Sequence, residues 1–355
     1  MKLGFGLYRH QLNREHYRFA RQCGATQVVV HLVDYFRQGG EANQRSDQPT
    51  GTKTDGWGRA GTLDDFWSLE LLHRIKRELA EEGLEWAAIE NFDPGHWHDI
   101  LLDGQKKQEQ LDTVKRLIRN VGAAGIPVIG YNFSLAGVSS RIKGEFARGG
   151  AIALGIDGPN DTPVPAGMVW NMTYDSGMKG TMPPCTPTEL WERLGSFLRA
   201  VLPVAEEAGV TLAAHPDDPP LPSMRGTPRL VYQPHFYDRL LAVSASPRNQ
   251  LEFCLGTVAE MSEGDVYAAT DHFSRQKKIA YIHFRNVRGK VPRYHETFVD
   301  DGDIDMRRVL GILHRNGYEG VLIPDHTPQM ACAAPWHAGM AYAMGWMRAA
   351  LQSVE

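Results

Sequence analysis

The four cysteines, Cys23, Cys185, Cys254 and Cys332, are scattered and none forms a CxxC pair. In a chain of 355 residues that argues against a zinc ribbon or a disulfide framework. Charge of one sign is lacking as well. Lys and Arg number 38 against 42 Asp and Glu, a formal net charge of −4, and with no basic block or stripe nucleic acid is not an expected partner. Small neutral or anionic ligands stay open. No run reaches the roughly 18 apolar residues of a membrane span, so no membrane partner is expected. The opening MKLGFGLYRHQLNREHYRF turns charged too early for a secretory signal, and a reducing cytoplasm is the expected location. No GxGxxG follows the first apolar run, which removes the best support for a dinucleotide-binding sheet. Internal repeats and low-complexity tracts are also missing.

What is present is alternation. Short β-rich apolar runs at 3–8, 27–32, 85–90, 127–132, 211–215, 250–254, 280–284 and 320–324 are separated by amphipathic stretches at 15–23, 63–82, 108–124, 188–208, 234–243, 306–316 and 337–353. Eight β-α alternations closing on a terminal helix predict an α/β fold, a (β/α)8 TIM barrel forming a single domain over 1–355. Gly209 and Gly317 follow two of the helical stretches, where a left-handed residue releases the chain into the next strand. The connections 34–62 and 133–187 are too long for ordinary loops. They follow strands two and four, so they are expected over the face where barrel enzymes work, as lids or as contacts in a homo-oligomer.

Barrel enzymes place their chemistry at the C-terminal strand ends. Here strand three ends in Glu90 and Asn91, strand four in Tyr131 and Asn132, strand five in His215, strand six in Cys254, strand seven in His283 and strand eight in Asp325 followed by His326. A single histidine at a strand end is ordinarily a hydrogen-bonded structural residue, and a single buried cysteine a small hydrophobe. Four consecutive strands ending in His, Cys, His and Asp instead supply the lone-pair donors of a divalent transition-metal site, with the cysteine favouring zinc or iron over magnesium. His326 would then orient a ligand or act as general acid or base. Arg285, two residues past His283, is positioned to pair with a substrate carboxylate. His295 and Glu296 lie on the following loop, Arg9 and His10 end strand one and His31 lies on strand two, as further residues lining the site.

The runs LAAHPDDPP, EFCLGT, IHFRN, YHETFVDDGDIDM and IPDH, with GIPVIGYNFS and PRLV, resemble in order and spacing the metal-dependent mannonate dehydratases of hexuronate catabolism. The resemblance runs from about 127 to 326. It implies a xylose-isomerase-like barrel, Mn2+ or Fe2+ as cofactor (Zn2+ staying open on ligand type), and conversion of the sugar acid D-mannonate to 2-keto-3-deoxygluconate. By motif His215, Cys254, His283 and Asp325 would be the metal ligands and His326 an acid/base residue. The chain departs from the family in two places. The tryptophan-rich opening is missing, and the segment that carries the family's catalytic tyrosine reads APWHAGMAYAMGW, with Trp336 or His337 in its place and Tyr342 about a turn late.

Removing the C2 proton of an aldonate and expelling its C3 hydroxyl requires two groups of opposite protonation state. The expected pair is His326 with His337 or Tyr131; Arg285, His295, Asn132, Glu90 and Arg9 are the expected substrate contacts. The rivals are a sugar or sugar-acid isomerase or epimerase on the same barrel, and a non-catalytic sugar-acid binder. Epimerase-type sites usually offer two glutamates with Asp and His, and Cys254 tells against them.

Overall fold

The computed structural model describes residues 1–38, 49, 56–61 and 65–354. Eight parallel strands close into a barrel: β1 Lys2–Tyr8, β2 Gln27–His31, β3 Glu85–Glu90, β4 Val128–Tyr131, β5 Thr211–Ala214, β6 Asn249–Cys254, β7 Ile279–His283 and β8 Val321–Ile323. Each strand pairs with its neighbours in sequence, and β8 closes on β1. The eight expected strands all form, with no end shifted by more than one residue. Their two-sided burial, as in the QVVVH of β2, is what a parallel sheet wrapped by helices requires.

The helices are α1 Arg14–Gln22, α2 Leu69–Glu81, α3 Pro94–Leu102, α4 Lys107–Ala123, α5 Pro187–Ala208, α6 His235–Ala242, α7 Leu255–Glu260, α8 Val266–Arg275, α9 Met306–Arg315 and α10 Pro335–Gln352. Helix α5 begins at a reciprocal capping box between Thr186 and Glu189 and ends at left-handed Gly209. The amphipathic stretch expected at 63–82 is divided: a 3-10 turn at Asp65–Trp67 precedes α2, because the Ser68 side chain accepts from the backbone N–H of Leu71 and starts a new helix. Helices α3, α7 and α8 are additions that the amphipathic pattern alone did not single out.

The main core lies between strands and helices, around residues such as Phe5, Ile129, Leu212, Phe253 and Leu322. Inside the barrel, Val29, Ala88, Ala213, Tyr281 and Ile323 form a second layer. Gly130 on β4 is required there, since a Cβ would collide with the Tyr281 hydroxyl and the Glu252 carboxylate. No described helix is long and apolar enough to cross a membrane.

Described parts of the two long insertions pair with each other beside the cavity. Gly58–Arg59 of the first pairs with Met172–Thr173 of the second, which pairs with Met168–Val169, making a three-stranded sheet. A hairpin of the second insertion, Ile142–Ala147 with Ala151–Asp157, joins a hairpin after β7, Val287–Lys290 with Arg293–Glu296, in a four-stranded antiparallel sheet.

Candidate metal centre and active site

Strand register brings the donors together. Cys254, the last residue of β6, is the direct partner of His283 at the end of β7, and His283 is the partner of Ile323, two residues before Asp325. His215 follows the last residue of β5. Ligand-capable atoms of His215, Cys254 and His283 all lie within 4.8 Å of one another. Asp325 reaches the same place through a left-handed backbone turn, φ 63°, a conformation that costs a non-glycine residue energy and recurs at functional sites. Its Oδ2 is 3.5 Å from His283 Nδ1.

Hydrogen bonds fix which imidazole nitrogen is free. His215 Nδ1 is 2.6 Å from the Pro216 carbonyl oxygen, which can only accept, so Nδ1 carries a proton and Nε2 is the nitrogen that would turn to a metal on giving up its own. His283 Nε2 faces two carboxylates, Glu90 at 3.2 Å and Glu252 at 3.1 Å. Its Nδ1 is buried without a hydrogen-bond partner. A second convergence, Glu90, Glu252 and His283, meets on the Nε2 side of that ring. An orphaned nitrogen beside a thiol and a carboxylate is the donor set of a divalent transition metal, and the residues present fit one.

The electrostatics agree. Burial opposes ionisation of Cys254, but Arg285, then His215 and His283, hold its thiol well below the usual range. Asp325 is likewise held well below the usual carboxylate range against burial by His326 and His283. Burial would lower His215, yet its hydrogen bond to Cys254 and the Glu252 carboxylate raise it to about 9. Burial and the neighbouring Glu90 push Glu252 up to about 8. Thiolate and carboxylate therefore hold their negative charge where water cannot solvate it, which attracts a cation.

The cavity above these groups holds about 550 Å3 of space between atoms, its mouth included, and His215, Glu252, His283, Asp325 and His326 form one wall. His326 Nδ1 is 2.8 Å from Glu296 Oε2 and its Nε2 is 3.2 Å from Asp325 Oδ2. The rest of the lining includes Tyr8, His31, Tyr35, Trp57 and Trp170, with Arg141 and Asp218. His31 stacks on Tyr8 with ring centres 4.5 Å apart, and its Nδ1 is 3.0 Å from the Tyr35 hydroxyl, which also accepts from Asn91 Nδ2 at 3.0 Å.

The model of the family described as D-mannonate dehydratase (UxuA) matches residues 60–143 and 185–348. The mannonate dehydratase of Streptococcus pneumoniae (strain 70585) is 32% identical over 283 residues, 73% of this chain and 74% of that protein. The chain belongs to the mannonate dehydratase family. The family is metal-dependent. Mannonate dehydratase 2 of Halalkalibacterium halodurans is 28% identical over 279 residues, 73% of this chain and 79% of the relative. The crystal structure of mannonate dehydratase from Streptococcus suis serotype 2 superposes with a TM-score of 0.74 at 25% identity, covering 100% of this chain and 93% of that one. D-psicose 3-epimerase from Clostridium cellulolyticum H10, TM-score 0.54 at 11% identity over 100% of this chain and 98% of that one, shares the xylose-isomerase-like barrel and shows the fold alone.

Within this mannonate dehydratase fold several expected site residues lie elsewhere. Arg285 does not line the cavity. Its guanidinium is buried among Glu260, Glu296, Asp218 and Asp325 at 2.8–3.3 Å, so it has no face left for a substrate carboxylate. Among the described residues, Arg141 is the arginine that lines the cavity. Tyr131 points outward into the aromatic core beside Trp97 and Phe197, while its neighbour Asn132 faces the cavity and accepts from Trp170 Nε1 at 3.0 Å. His337 packs on Phe19 of α1, ring centres 4.7 Å apart, and Trp336 packs on Phe5. Tyr342 bonds Asp300 on the outside of the barrel. His295 sits on the antiparallel sheet against Phe146, and Arg9 covers the Phe66 ring. His10 contacts Tyr8 and Phe36 rather than the cavity. Glu90, Asn132 and His31 do line it. Residues that the strand-end pattern missed are Glu252, inside β6, and Tyr8, Tyr35, Trp57, Arg141, Trp170 and Asp218, of which Glu252 and Asp218 stood in quoted motifs, two residues before Cys254 and three after His215.

Proposed function

We propose that this enzyme removes water from D-mannonate to give 2-keto-3-deoxy-D-gluconate, using a divalent metal, Mn2+ or Fe2+, held by His215, Cys254, His283 and Asp325. The observation that carries the reading is the meeting of donors from four consecutive strand ends beside His326 on the lining of an open cavity. When bound there, the metal supplies positive charge that stabilises the negative charge developing on the acid as C2 loses its proton.

The chain's own residues supply the rest. Arg141 attracts the substrate carboxylate, with Asp218 behind it at 3.5 Å to hold the guanidinium in place. His326, backed by Glu296, handles one of the two protons. The position expected of a tyrosine is taken by residues packed against α1, so His31, backed by the Tyr35 hydroxyl, is assigned the other. Tyr35, Trp57 and Trp170 exclude water, and the enol left after loss of the C3 hydroxyl becomes the keto acid without further help. We read the protein as a cytoplasmic enzyme of hexuronate breakdown, which its free cysteines support.

Incubating metal-loaded protein with a panel of aldonates tests this. Formation of a 2-keto-3-deoxy acid from D-mannonate, stopped by a chelator and restored by Mn2+ or Fe2+, is expected. Stoichiometric metal with no dehydration of any aldonate would leave a sugar-acid binder. Exchange of the C2 proton without loss of water would favour an epimerase.

A further inference from the structure

Cys254 Sγ is surrounded by donors. The Arg285 guanidinium approaches it at 3.3 Å, the Thr257 hydroxyl at 3.2 Å and the Thr257 backbone N–H at 3.5 Å. Arg285 also donates to the Thr257 hydroxyl at 3.0 Å, so that hydroxyl, with its own proton spent on the sulfur, is oriented from behind. Thr257 and Arg285 are both buried. The guanidinium touches the other anionic donor too, with Nε 3.2 Å from Asp325 Oδ2.

Resting on the metal site proposed above, we infer that this set of hydrogen bonds decides which divalent metal the enzyme keeps. A bare thiolate is a soft donor and favours zinc over manganese and iron beyond the ordinary order of affinities. Each N–H or O–H pointed at the sulfur draws off electron density, so the thiolate gives less to any metal, and the loss is greatest for the metal that depends most on sulfur. Outer partners of this kind typically change metal affinity by about ten- to a hundredfold. The cysteine thereby keeps its place in the ligand set while the site behaves as a harder one. Thr257 is the positioning residue that can be changed alone, because Arg285 has four carboxylate partners besides and stays in place without it.

The test uses the full-length protein stripped of metal by chelation. Affinities for Zn2+ and Mn2+ are measured by competition with a chromophoric chelator, and Co2+ serves as the spectroscopic probe through its sulfur-to-metal charge-transfer band. For Thr257→Val the Zn2+-to-Mn2+ affinity ratio is expected to rise roughly tenfold, with the cobalt band moving to lower energy as the sulfur becomes the stronger donor. Thr257→Ser, which keeps the hydroxyl, should match the native protein in both. Thr257→Ala removes the same donor with less bulk and gives the reading if the valine disturbs the fold. An unchanged ratio and band in both hydroxyl-free variants would overturn the inference. A native protein that binds Co2+ without any sulfur band would instead overturn Cys254 as a ligand, and with it the proposed site.

Discussion

The two walls of the cavity are made by different means. On one side His215, Cys254, His283 and Asp325 end consecutive parallel strands, and their spacing follows from barrel register: Cys254 and His283 are direct partners across β6 and β7. On the other, Tyr35 and Trp57 come from one insertion and Trp170 from another, and they meet beside the pairing of Gly58–Arg59 with Met172–Thr173. The family model likewise passes over 144–184 and begins at 60. The first wall can exist wherever the barrel does, whereas the second needs two distant segments to find each other. On the reading proposed above, the metal and one proton step belong to the first, and substrate choice, with the proton step given to His31, to the second.

Variants on the two walls should therefore fail differently. The largest effect is expected on the barrel wall: Cys254→Ala should lose stoichiometric metal and bring turnover down by at least the ~10²–10⁴ that a missing proton-transfer group costs, while thermal unfolding shows an intact fold. Metal analysis after dialysis checks it, and tight stoichiometric binding would remove Cys254 from the ligand set. His326→Asn should reduce kcat by about 10²–10⁴ with metal and substrate still bound, since an amide keeps the shape but moves no proton. Steady-state kinetics beside a substrate-binding titration decide that case, and near-native kcat would pass the role to another residue.

Asp218 joins the walls, pairing with Arg285 on one side and Arg141 on the other. Although burial opposes its charge, Arg285 and Arg141 hold it at about 2, below the ordinary 3.8. A carboxylate lowered in this way stabilises the fold above its ordinary value, and that stability fades as pH falls from about 4 through about 2. The contribution is about 2 kcal/mol, roughly thirtyfold in the folding equilibrium. Urea unfolding across that window should show a shallower pH dependence for Asp218→Asn than for the native chain, and parallel curves would count against the pairing.

Smaller effects are expected from the roof side. Arg141→Lys should weaken an aldonate about tenfold because an ammonium cannot form the bidentate fork, leaving a neutral alditol unaffected; equal losses for both would make Arg141 structural. Tyr35→Phe removes one hydroxyl shared by His31 and Asn91 and should lower kcat only about two- to fivefold, the scale of a single neutral hydrogen bond. A larger loss there would move proton transfer onto the tyrosine itself.

The barrel wall was legible in sequence because strand ends repeat with the fold's own period. Reading failed where the two-residue alternation of a strand decides a direction. Tyr131 and Asn132 both end β4, and only one can face the cavity. Asp325 and His326 escape that rule because the left-handed turn at Asp325 lets both reach it. Glu252 was hidden as an ordinary residue of a buried strand, its carboxyl made possible by Gly130 across the barrel. Arg285 was placed on the correct strand face, but which carboxylates crowd that face depends on Glu260, Glu296 and Asp218 arriving from three other segments. His337 went astray because the register of α10 turns it toward α1.

The ladder between Gly58–Arg59 and Met172–Thr173 also bears on how such an enzyme can change over generations. Trp57 donates to the Asn171 carbonyl at 2.7 Å and Ala60 to the Thr173 carbonyl at 3.0 Å, so either segment shortened by a few residues would leave the other with unpaired backbone at the cavity mouth. Among relatives, the lengths of these two insertions should then rise and fall together, and a chimaera that inherits only one of them should carry the metal yet recognise its acid poorly.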